Sequence, residues 1–198
     1  MKRAFDIMAS AAGLLVLLPL LFVFGVLIKV ADGGSIFYRG VRVGRYGKNF
    51  RIYKFRTMVI NAEKLGGPST ADDDARITKM GETLRRYKLD ELPQLINILK
   101  GEMSLVGPRP EIQEEVALYT KEEKRLLNVR PGMTDYASIQ FHNEGEILRG
   151  SEDPHQVYKE KIRPEKIRLG LKYVHNHSLW IDLELIKRTI KIIFGTRF

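Results

Sequence analysis

An uncharged, mostly apolar segment near the N-terminus constrains the fold of this chain more than any other feature. It runs from Ile7 to Ile28, 22 residues that lie between Asp6 and Lys29. As one helix it would reach about 33 Å, and the hydrocarbon core of a bilayer is about 30 Å thick. The segment is longer than the apolar region of a signal peptide, and no cleavage motif of small residues follows it. The sequence therefore predicts that residues 1–32 form a membrane-inserted helix that is retained.

Pro19 lies within this segment, and proline removes one helical hydrogen bond and clashes with the preceding turn. We expect a kink there, which leaves two pieces of about 15–18 Å, each too short to cross the bilayer. Lys2 and Arg3 precede the segment and Lys29 follows it, and basic flanks favour the cytoplasmic side. A re-entrant helix with both ends in the cytoplasm fits these flanks. A kinked spanning helix is the alternative, because proline is tolerated in such helices.

The rest of the chain, residues 33–198, has the composition of a folded domain. The sequence is 44% hydrophobic and 29% charged, which excludes wholesale disorder. It contains no cysteine, which excludes disulfides, thiolate metal sites and cysteine nucleophiles. Short strands are predicted at Ser35–Tyr38 and Phe50–Phe55, with a turn at Gly44–Asn49. Helices are predicted at 78–88, 91–100, 111–128, 155–175 and 179–194. We therefore expect a small, helix-rich α/β domain with short strands.

The segment between Gly33 and Ala62 is strongly basic and contains no acidic residue. Aromatic residues alternate with its cations, a pattern that also occurs on nucleic-acid-binding surfaces. Since the segment follows a membrane helix directly, however, we favour anionic lipid headgroups or a phosphorylated substrate as its partner over nucleic acid. Its seven basic residues are Arg39, Arg42, Arg45, Lys48, Arg51, Lys54 and Arg56.

The last predicted helix, 179–194, is apolar on one side, with Lys187, Arg188 and Lys191 off that side. This pattern fits an interfacial helix on anionic lipid, and it fits a core helix equally well.

Residues 61–76 are polar and predict a mobile loop. Its acidic residues, Asp72–Asp74, resemble the metal-binding cluster of sugar-nucleotide enzymes, although we favour a solvated acidic loop.

Residues 84–101 are the most informative part of the sequence. Apolar residues at positions 92, 95, 96 and 99 lie on one helical face, and Gly101 is suited to the position just after a helix end. We expect a helix that begins near Glu91, with Asp90 at or next to its N-cap. Capping alone explains such a carboxylate. A helix N-terminus also favours an ionised carboxylate and phosphate, and the cations Arg85, Arg86 and Lys88 lie just upstream.

A second candidate lies between two prolines. Pro108 and Pro110 bracket Arg109, so the backbone around this residue is stiff. A rigidly presented guanidinium is suited to bidentate phosphate binding. The alternative is a stiff loop with a solvated arginine.

Four blocks of this sequence resemble those of one bacterial family. They are KFRTM at Lys54–Met58, LDELPQL at Leu89–Leu95, KGEMSLVGPRP at Lys100–Pro110 and RPGMT at Arg130–Thr134. Their order and spacing resemble the bacterial sugar transferases that act on polyprenyl phosphate, the monotopic phosphoglycosyl transferases. The resemblance covers nearly the whole chain, and the apolar segment with Pro19 lies where that family has its re-entrant helix.

The resemblance implies an activity and a set of site residues. A phosphosugar passes from a UDP-sugar to polyprenyl (undecaprenyl) phosphate, and UMP is released, as the first membrane step of glycoconjugate assembly. Asp90 is the implied nucleophile and forms an aspartyl-phosphosugar, and Mg²⁺ is the implied cofactor, held by Glu91 with Asp90. The implied location is the cytoplasmic face of the bacterial inner membrane. The implied phosphate- or nucleotide-binding residues are Arg85 and Arg109, and those beside the site are Lys54 and Arg56.

Two positions depart from the family pattern. Leu18 stands where many members have a serine before the proline, and residues 135–144 replace a common Trp and Asn-Gly-Arg block where sugar recognition would lie. The sequence therefore leaves the sugar open, together with the prenyl length and the oligomeric state, including a homo-oligomer. Two other functions also stay open: a membrane-associated glycosyltransferase that releases UDP and uses Asp72–Asp74, and a non-enzymatic module that binds anionic lipid.

Overall fold

The first helix carries the apolar segment. The structure, a computed structural model, describes residues 1–195, and in it helix α1 extends from Lys2 to Asp32. The helix is continuous through Pro19, and the kink at that residue stays a prediction. It ends at Gly33, whose φ of 70° is the left-handed conformation that glycine adopts readily. By length and composition, it is the one helix among the described residues that could cross a membrane.

Polar side chains bond both ends of α1 to the rest of the protein, while its middle keeps several large apolar side chains exposed. At the first end, Arg3 donates to the carbonyl of Ile98 at 2.7 Å, and Asp6 accepts from Ser104 Oγ at 2.9 Å. At the other end, Asp32 pairs with the guanidinium of Arg56. The most exposed large apolar side chains of the middle are Leu15, Val16, Leu18 and Phe22, which are 60–76% exposed.

Within residues 1–195, six short strands form three pairs. Strand β1 (Phe37–Tyr38) is antiparallel to β4 (Lys54–Phe55), and β2 (Val41–Val43) is antiparallel to β3 (Asn49–Arg51). A 3₁₀ turn at Arg45–Gly47 joins β2 to β3, within the predicted turn. Strand β5 (Ser104–Val106) is parallel to β6 (Gly132–Thr134). The sequence did not indicate β2, because a strand of three residues carries little periodicity.

Most of the predicted helices are present. They are α2 (Lys79–Arg86), α3 (Gln94–Lys100) and α9 (Leu179–Gly195), while 155–175 is formed by α7 (Pro154–Val157), a π-helical turn (Tyr158–Ile162) and α8 (Arg163–Asn176). Two further short helices are α5 (Tyr136–Gln140) and α6 (Glu144–Ile147). The helix-rich α/β prediction is confirmed.

The predicted helix 111–128 is wrong as one element. It consists of α4 (Gln113–Ala117) and a separate 3₁₀ segment, Glu123–Asn128. Thr120 and Glu123 explain the break, because each backbone N–H is bound by the other's side chain, at 2.7 and 3.2 Å. This reciprocal arrangement is a capping box, which starts a new helical segment.

Apolar packing joins α1 to the helix that follows the acidic pair. Leu14 and Leu17 of α1 pack against a buried cluster that includes Leu95 and Ile98 of α3 and Phe50 of β3. This contact fixes α3 relative to the membrane helix.

Helix α9 combines two predicted characters: Leu185 is buried in the core, whereas Trp180 and Phe194 are 83% and 75% exposed. Its placement on a lipid surface stays a prediction.

Candidate active site

Asp90 and Glu91 lie in a 3₁₀ turn, Leu89–Glu91, between α2 and α3. The predicted helix start is therefore wrong by three residues, and Asp90 is not the N-cap of α3. Lys88, at φ 55°, turns the chain away from α2, and Glu91 N–H then bonds to its carbonyl. Pro93 has no N–H, so regular α-helical bonding begins only at Gln94. The end of α3 is as predicted, because Gly101 has a φ of 83°.

Glu91 is held by two cations. Arg109 binds both carboxylate oxygens, with Nη2–Oε1 at 2.6 Å and Nη1–Oε2 at 2.7 Å, and Lys54 Nζ lies 2.9 Å from Oε1. Burial alone would raise the pKa of Glu91, but Arg109 and Lys54 outweigh it and hold the pKa well below its ordinary value. Glu91 is thus ionised, and the charges of Arg109 and Lys54 balance its negative charge.

Arg109 has a second anchor that the sequence did not indicate. Its Nη1 also donates to the carbonyl of Met133 at 2.8 Å. Met133 belongs to β6 and to the RPGMT block, so this block fixes the guanidinium through its backbone. The predicted rigid presentation of Arg109 has this second cause besides the two prolines, and the guanidinium points at the acidic pair.

Asp90 has the opposite environment from Glu91. It is 6% exposed, and its carboxylate makes no hydrogen bond to any residue in the described range 1–195. Burial raises the pKa of Asp90, and the neighbouring Glu91 raises it further, while Lys54, Arg85 and Lys88 oppose the shift. The site therefore presents one neutralised carboxylate and, beside it, one carboxylate without hydrogen bonds among cations.

The remaining predicted site residues divide into two groups. Lys54 is in direct contact with Glu91, whereas Arg85 acts on Asp90 through its charge and forms no ion pair with it among residues 1–195. Arg56 is placed elsewhere, because its guanidinium binds Asp32 at the end of α1, with Nη1–Oδ2 at 2.6 Å. This pair lowers the pKa of Asp32 to about 2. The predicted role of Arg56 in substrate binding stays a prediction.

The acidic pair has the donor atoms that a magnesium ion needs. Mg²⁺ prefers oxygen ligands and is commonly held by one or two carboxylates together with substrate phosphates. A carboxylate has about four lone-pair sites, and the three hydrogen bonds to Glu91 leave one on Oε2. Neither carboxylate oxygen of Asp90 has a hydrogen bond to the part of the chain that the structure describes. The pair fits such an ion, although within residues 1–195 no group of three or more metal-binding side chains is found.

The acidic loop is bonded to the protein instead. Asp74 forms an ion pair with Arg76, with Oδ2–Nη2 at 2.6 Å, and Asp73 Oδ2 accepts from the N–H of Gly150 at 3.1 Å. Asp72 N–H donates to the carbonyl of Gly145 at 3.0 Å. Asp72 and Asp73 are exposed, as expected for a solvated acidic loop, and their bonds to Gly145 and Gly150 also attach the loop to the segment around α6.

Behind Arg109 lies a small cavity, about 30 Å³ in volume, with charged walls. Asp135 in this wall is 2% exposed and caps α5 by accepting from Ser138 N and Oγ, both at 2.7 Å. Burial raises the pKa of Asp135 and of Glu111. In the sequence, the only indication of this charged cavity was Asp135, the acidic residue directly after the RPGMT block. The other charged lining residues are Glu115, Arg163 and Lys166.

Comparison with known proteins identifies the family of this chain. The bacterial sugar transferase family matches residues 1–196, so the chain belongs to this family and is a transferase. It is 36% identical over 211 residues to the exopolysaccharide production protein ExoY of Sinorhizobium fredii, covering 99% of this chain and 86% of that protein. It is also 36% identical, over 202 residues, to the UDP-N-acetylgalactosamine-undecaprenyl-phosphate N-acetylgalactosaminephosphotransferase of Aeromonas hydrophila, covering 99% of this chain and 45% of that protein. The undecaprenyl-phosphate galactose phosphotransferase of Salmonella typhimurium is 34% identical over 208 residues, with 98% and 40% covered.

Proposed function

We propose that this member of the bacterial sugar transferase family moves a phosphosugar from a UDP-sugar to polyprenyl phosphate and releases UMP. The observation that carries the proposal is the asymmetry of the acidic pair. Glu91 is neutralised by Arg109 and Lys54, while Asp90 beside it has no hydrogen bond within the described chain. Two relatives are named as undecaprenyl-phosphate phosphotransferases, which supports the class of acceptor.

In the first step, a carboxylate oxygen of Asp90 attacks the β-phosphorus of the UDP-sugar. The bond from that phosphorus to the bridging oxygen breaks, UMP leaves with the electron pair, and an aspartyl-phosphosugar remains. Two anions, Asp90 and Glu91, face four cations, Lys54, Arg85, Lys88 and Arg109, so the local charge is about +2. This surplus accommodates the diphosphate of the donor.

In the second step, the phosphate oxygen of polyprenyl phosphate attacks the same phosphorus. The acyl-phosphate bond breaks, which returns the Asp90 carboxylate and gives a polyprenyl-diphosphate sugar. One carboxylate thus acts twice, once for each substrate, and one site is sufficient. A magnesium ion at Asp90 and Glu91 would supply charge neutralisation for the diphosphate and the departing UMP.

The contacts of α1 support a re-entrant membrane arrangement. Arg3 and Asp6 bind the domain at one end of the helix, and Asp32 binds it through Arg56 at the other. In a spanning helix, one of these ends would lie about 30 Å away, across the hydrocarbon core. We therefore favour the re-entrant arrangement at the cytoplasmic face, with residues 1–32 inserted and the domain from residue 33 onward at the headgroup level, where both substrates reach it.

The products test the proposed reaction. Detergent-solubilised protein is incubated with a panel of UDP-sugars and polyprenyl phosphate, and the released nucleotide is identified. UMP is expected for at least one sugar. Release of UDP would show a glycosyltransferase that moves only the sugar, and no nucleotide release with any donor would favour a lipid-binding module.

Labelling tests the proposed topology. The chain contains no cysteine, so single cysteines at Lys2 and Gly34 can be probed in intact cells with a membrane-impermeant thiol reagent. Neither position should react until the cells are opened, because both ends of α1 face the cytoplasm. Labelling of only one of them from outside would establish a spanning helix.

A further inference from the structure

Gln94 is a fully buried side chain whose polar atoms are unsatisfied. It is 0% exposed, and neither Nε2 nor Oε1 has a hydrogen-bond partner among residues 1–195. Most buried polar side chains in folded proteins are hydrogen-bonded, and an unsatisfied one lowers stability. An apolar side chain of the same length would avoid this penalty, so packing alone does not account for a glutamine here.

The helical spacing places Gln94 beneath the candidate nucleophile. Leu92 and Pro93 have helical dihedral angles, so the chain turns continuously from the 3₁₀ turn into α3. Asp90, Gln94 and Asn97 are all buried, at 6%, 0% and 0% exposed, so their side chains share the inner face of this segment. The Gln94 side chain therefore lies one helical turn from Asp90.

Asn97 shows what this face contacts. Its Oδ1 accepts from the N–H of Tyr53 at 2.8 Å, and its Nδ2 donates to the carbonyl of Arg51 at 2.9 Å. The next residue along that segment is Lys54, whose amine reaches Glu91. Gln94 thus lies between the bonds of Asn97 and the acidic pair, on the side that faces residues 51–54.

The two buried amides on this face differ in one respect. Asn97 is 0% exposed and fully engaged, with a further bond from Nδ2 to Glu102 Oε2 at 2.7 Å, so it has a structural role. Gln94 is equally buried, but its amide has no hydrogen-bond partner among the described residues, and the nearby Asp90 carboxylate has none there either. Hydrogen bonds in active sites are often long without substrate and shorten only in the reacting complex.

We propose that Gln94 is a positioning residue for Asp90: during transfer its amide N–H donates to one carboxylate oxygen and so aims the other at the phosphorus. The inference rests on the phosphosugar transfer proposed above. A neutral amide suits this task, because it orients the carboxylate and leaves its negative charge available for attack. A lysine there would pair with Asp90 and weaken it as a nucleophile.

Gln94→Met tests the proposal, with Asn97→Leu as the matched control on the same face. Both replacements are apolar and similar in length to the residue replaced. For Gln94→Met we expect kcat, and the rate of the first UMP release, to fall about tenfold to a hundredfold, since small misplacements of reacting groups have effects of this size. The KM for the UDP-sugar should stay within about twofold, and the thermal midpoint should be unchanged or higher. Asn97→Leu should instead lower the thermal midpoint.

Two results would overturn the inference: Gln94→Met as active as wild type, or a thermal midpoint that falls as far as in Asn97→Leu. If Gln94→Met does not fold, Gln94→Asn replaces it, with an amide one methylene too short to reach; a folded, fully active Gln94→Asn would also contradict the inference. Wild-type release of UMP is measured in the same series. Its absence would overturn the proposed function itself, whereas UMP release with an unaffected Gln94 variant overturns the positioning role alone.

Discussion

Two acidic segments of this chain, Asp72–Asp74 and Asp90–Glu91, are both candidate metal-binding segments in the sequence, but their carboxylates have different partners in the structure. In the first, Asp74 is paired with Arg76 and Asp73 accepts from a backbone N–H. In the second, Glu91 is paired with two cations, yet Asp90 has no hydrogen bond in the described range although it is buried.

The difference separates carboxylates that stabilise the fold from one that is available to a substrate. A bonded carboxylate such as Asp74 has a lowered pKa, because the Arg76 hydrogen bond stabilises its charged form. Asp90 has a raised pKa, because burial disfavours its charge. A buried carboxylate with a raised pKa lowers the stability of the folded protein at neutral pH. Ionisable groups with perturbed pKa values are concentrated at functional sites.

The largest expected effect that tests this comparison is on Asp90. Asp90→Asn keeps the shape of the side chain and removes the nucleophile, so turnover should fall by about 10³-fold or more. Because the Asp90 carboxylate has no hydrogen bond to lose within residues 1–195, the thermal midpoint should stay the same or rise. Activity and melting are measured on the same preparation. A folded Asp90→Asn protein with wild-type activity would show that Asp90 has only a structural role.

Magnesium discriminates between the two segments directly. Chelation of divalent ions should abolish turnover, and added Mg²⁺ should restore it. The Mg²⁺ concentration for half-maximal activity should rise about tenfold or more in Glu91→Gln, since one of two protein carboxylates is lost. It should stay within about twofold in the matched loop variant Asp73→Asn. If the Mg²⁺ requirement rises in Asp73→Asn and not in Glu91→Gln, the metal binds at the acidic loop. Full activity in excess chelator would show that the reaction needs no divalent metal.

The smallest effect concerns the loop. Asp74→Asn should leave turnover within about twofold and lower the free energy of unfolding at neutral pH by about 1–2 kcal/mol, through the lost ion pair. Because the folded pKa of Asp74 is lowered, its contribution is present above the ordinary pKa of 3.8 and is lost as pH falls through the folded value. Chemical denaturation of both proteins at neutral and acidic pH should therefore give a difference that shrinks at low pH. A severe loss of turnover would instead give the loop a catalytic role.

The sequence predicted the membrane helix, the helix-rich domain and the acidic pair because each depends on local composition or on long blocks in order. Pro93 and Gly101, for example, restrict where α3 can begin and end in the sequence. The sequence did not predict that the helix starts at Gln94, because Lys88 has a left-handed backbone conformation, φ 55°, which a lysine side chain does not indicate.

Long-range partners were beyond the sequence as well. The bond from Arg109 to the Met133 carbonyl joins residues 24 positions apart, and no side chain marks which carbonyl is used. The Arg56–Asp32 pair was missed for the same reason, since Asp32 ends the apolar helix and Arg56 lies in a block associated with the site. The unsatisfied amide of Gln94 was invisible too, because glutamine next to a helix start is ordinarily solvated.

The central claim is a covalent bond to Asp90, and intact-protein mass measurement tests it most directly. With a UDP-sugar that supports turnover, Mg²⁺ and no lipid acceptor, the protein should release at most one equivalent of UMP and gain the mass of one phosphosugar. Peptide mapping should place that mass on Asp90, and Asp90→Asn should gain none. If the unmodified mass persists and UMP forms only when polyprenyl phosphate is present, transfer is direct between the two substrates, and the proposed role of Asp90 as nucleophile is wrong.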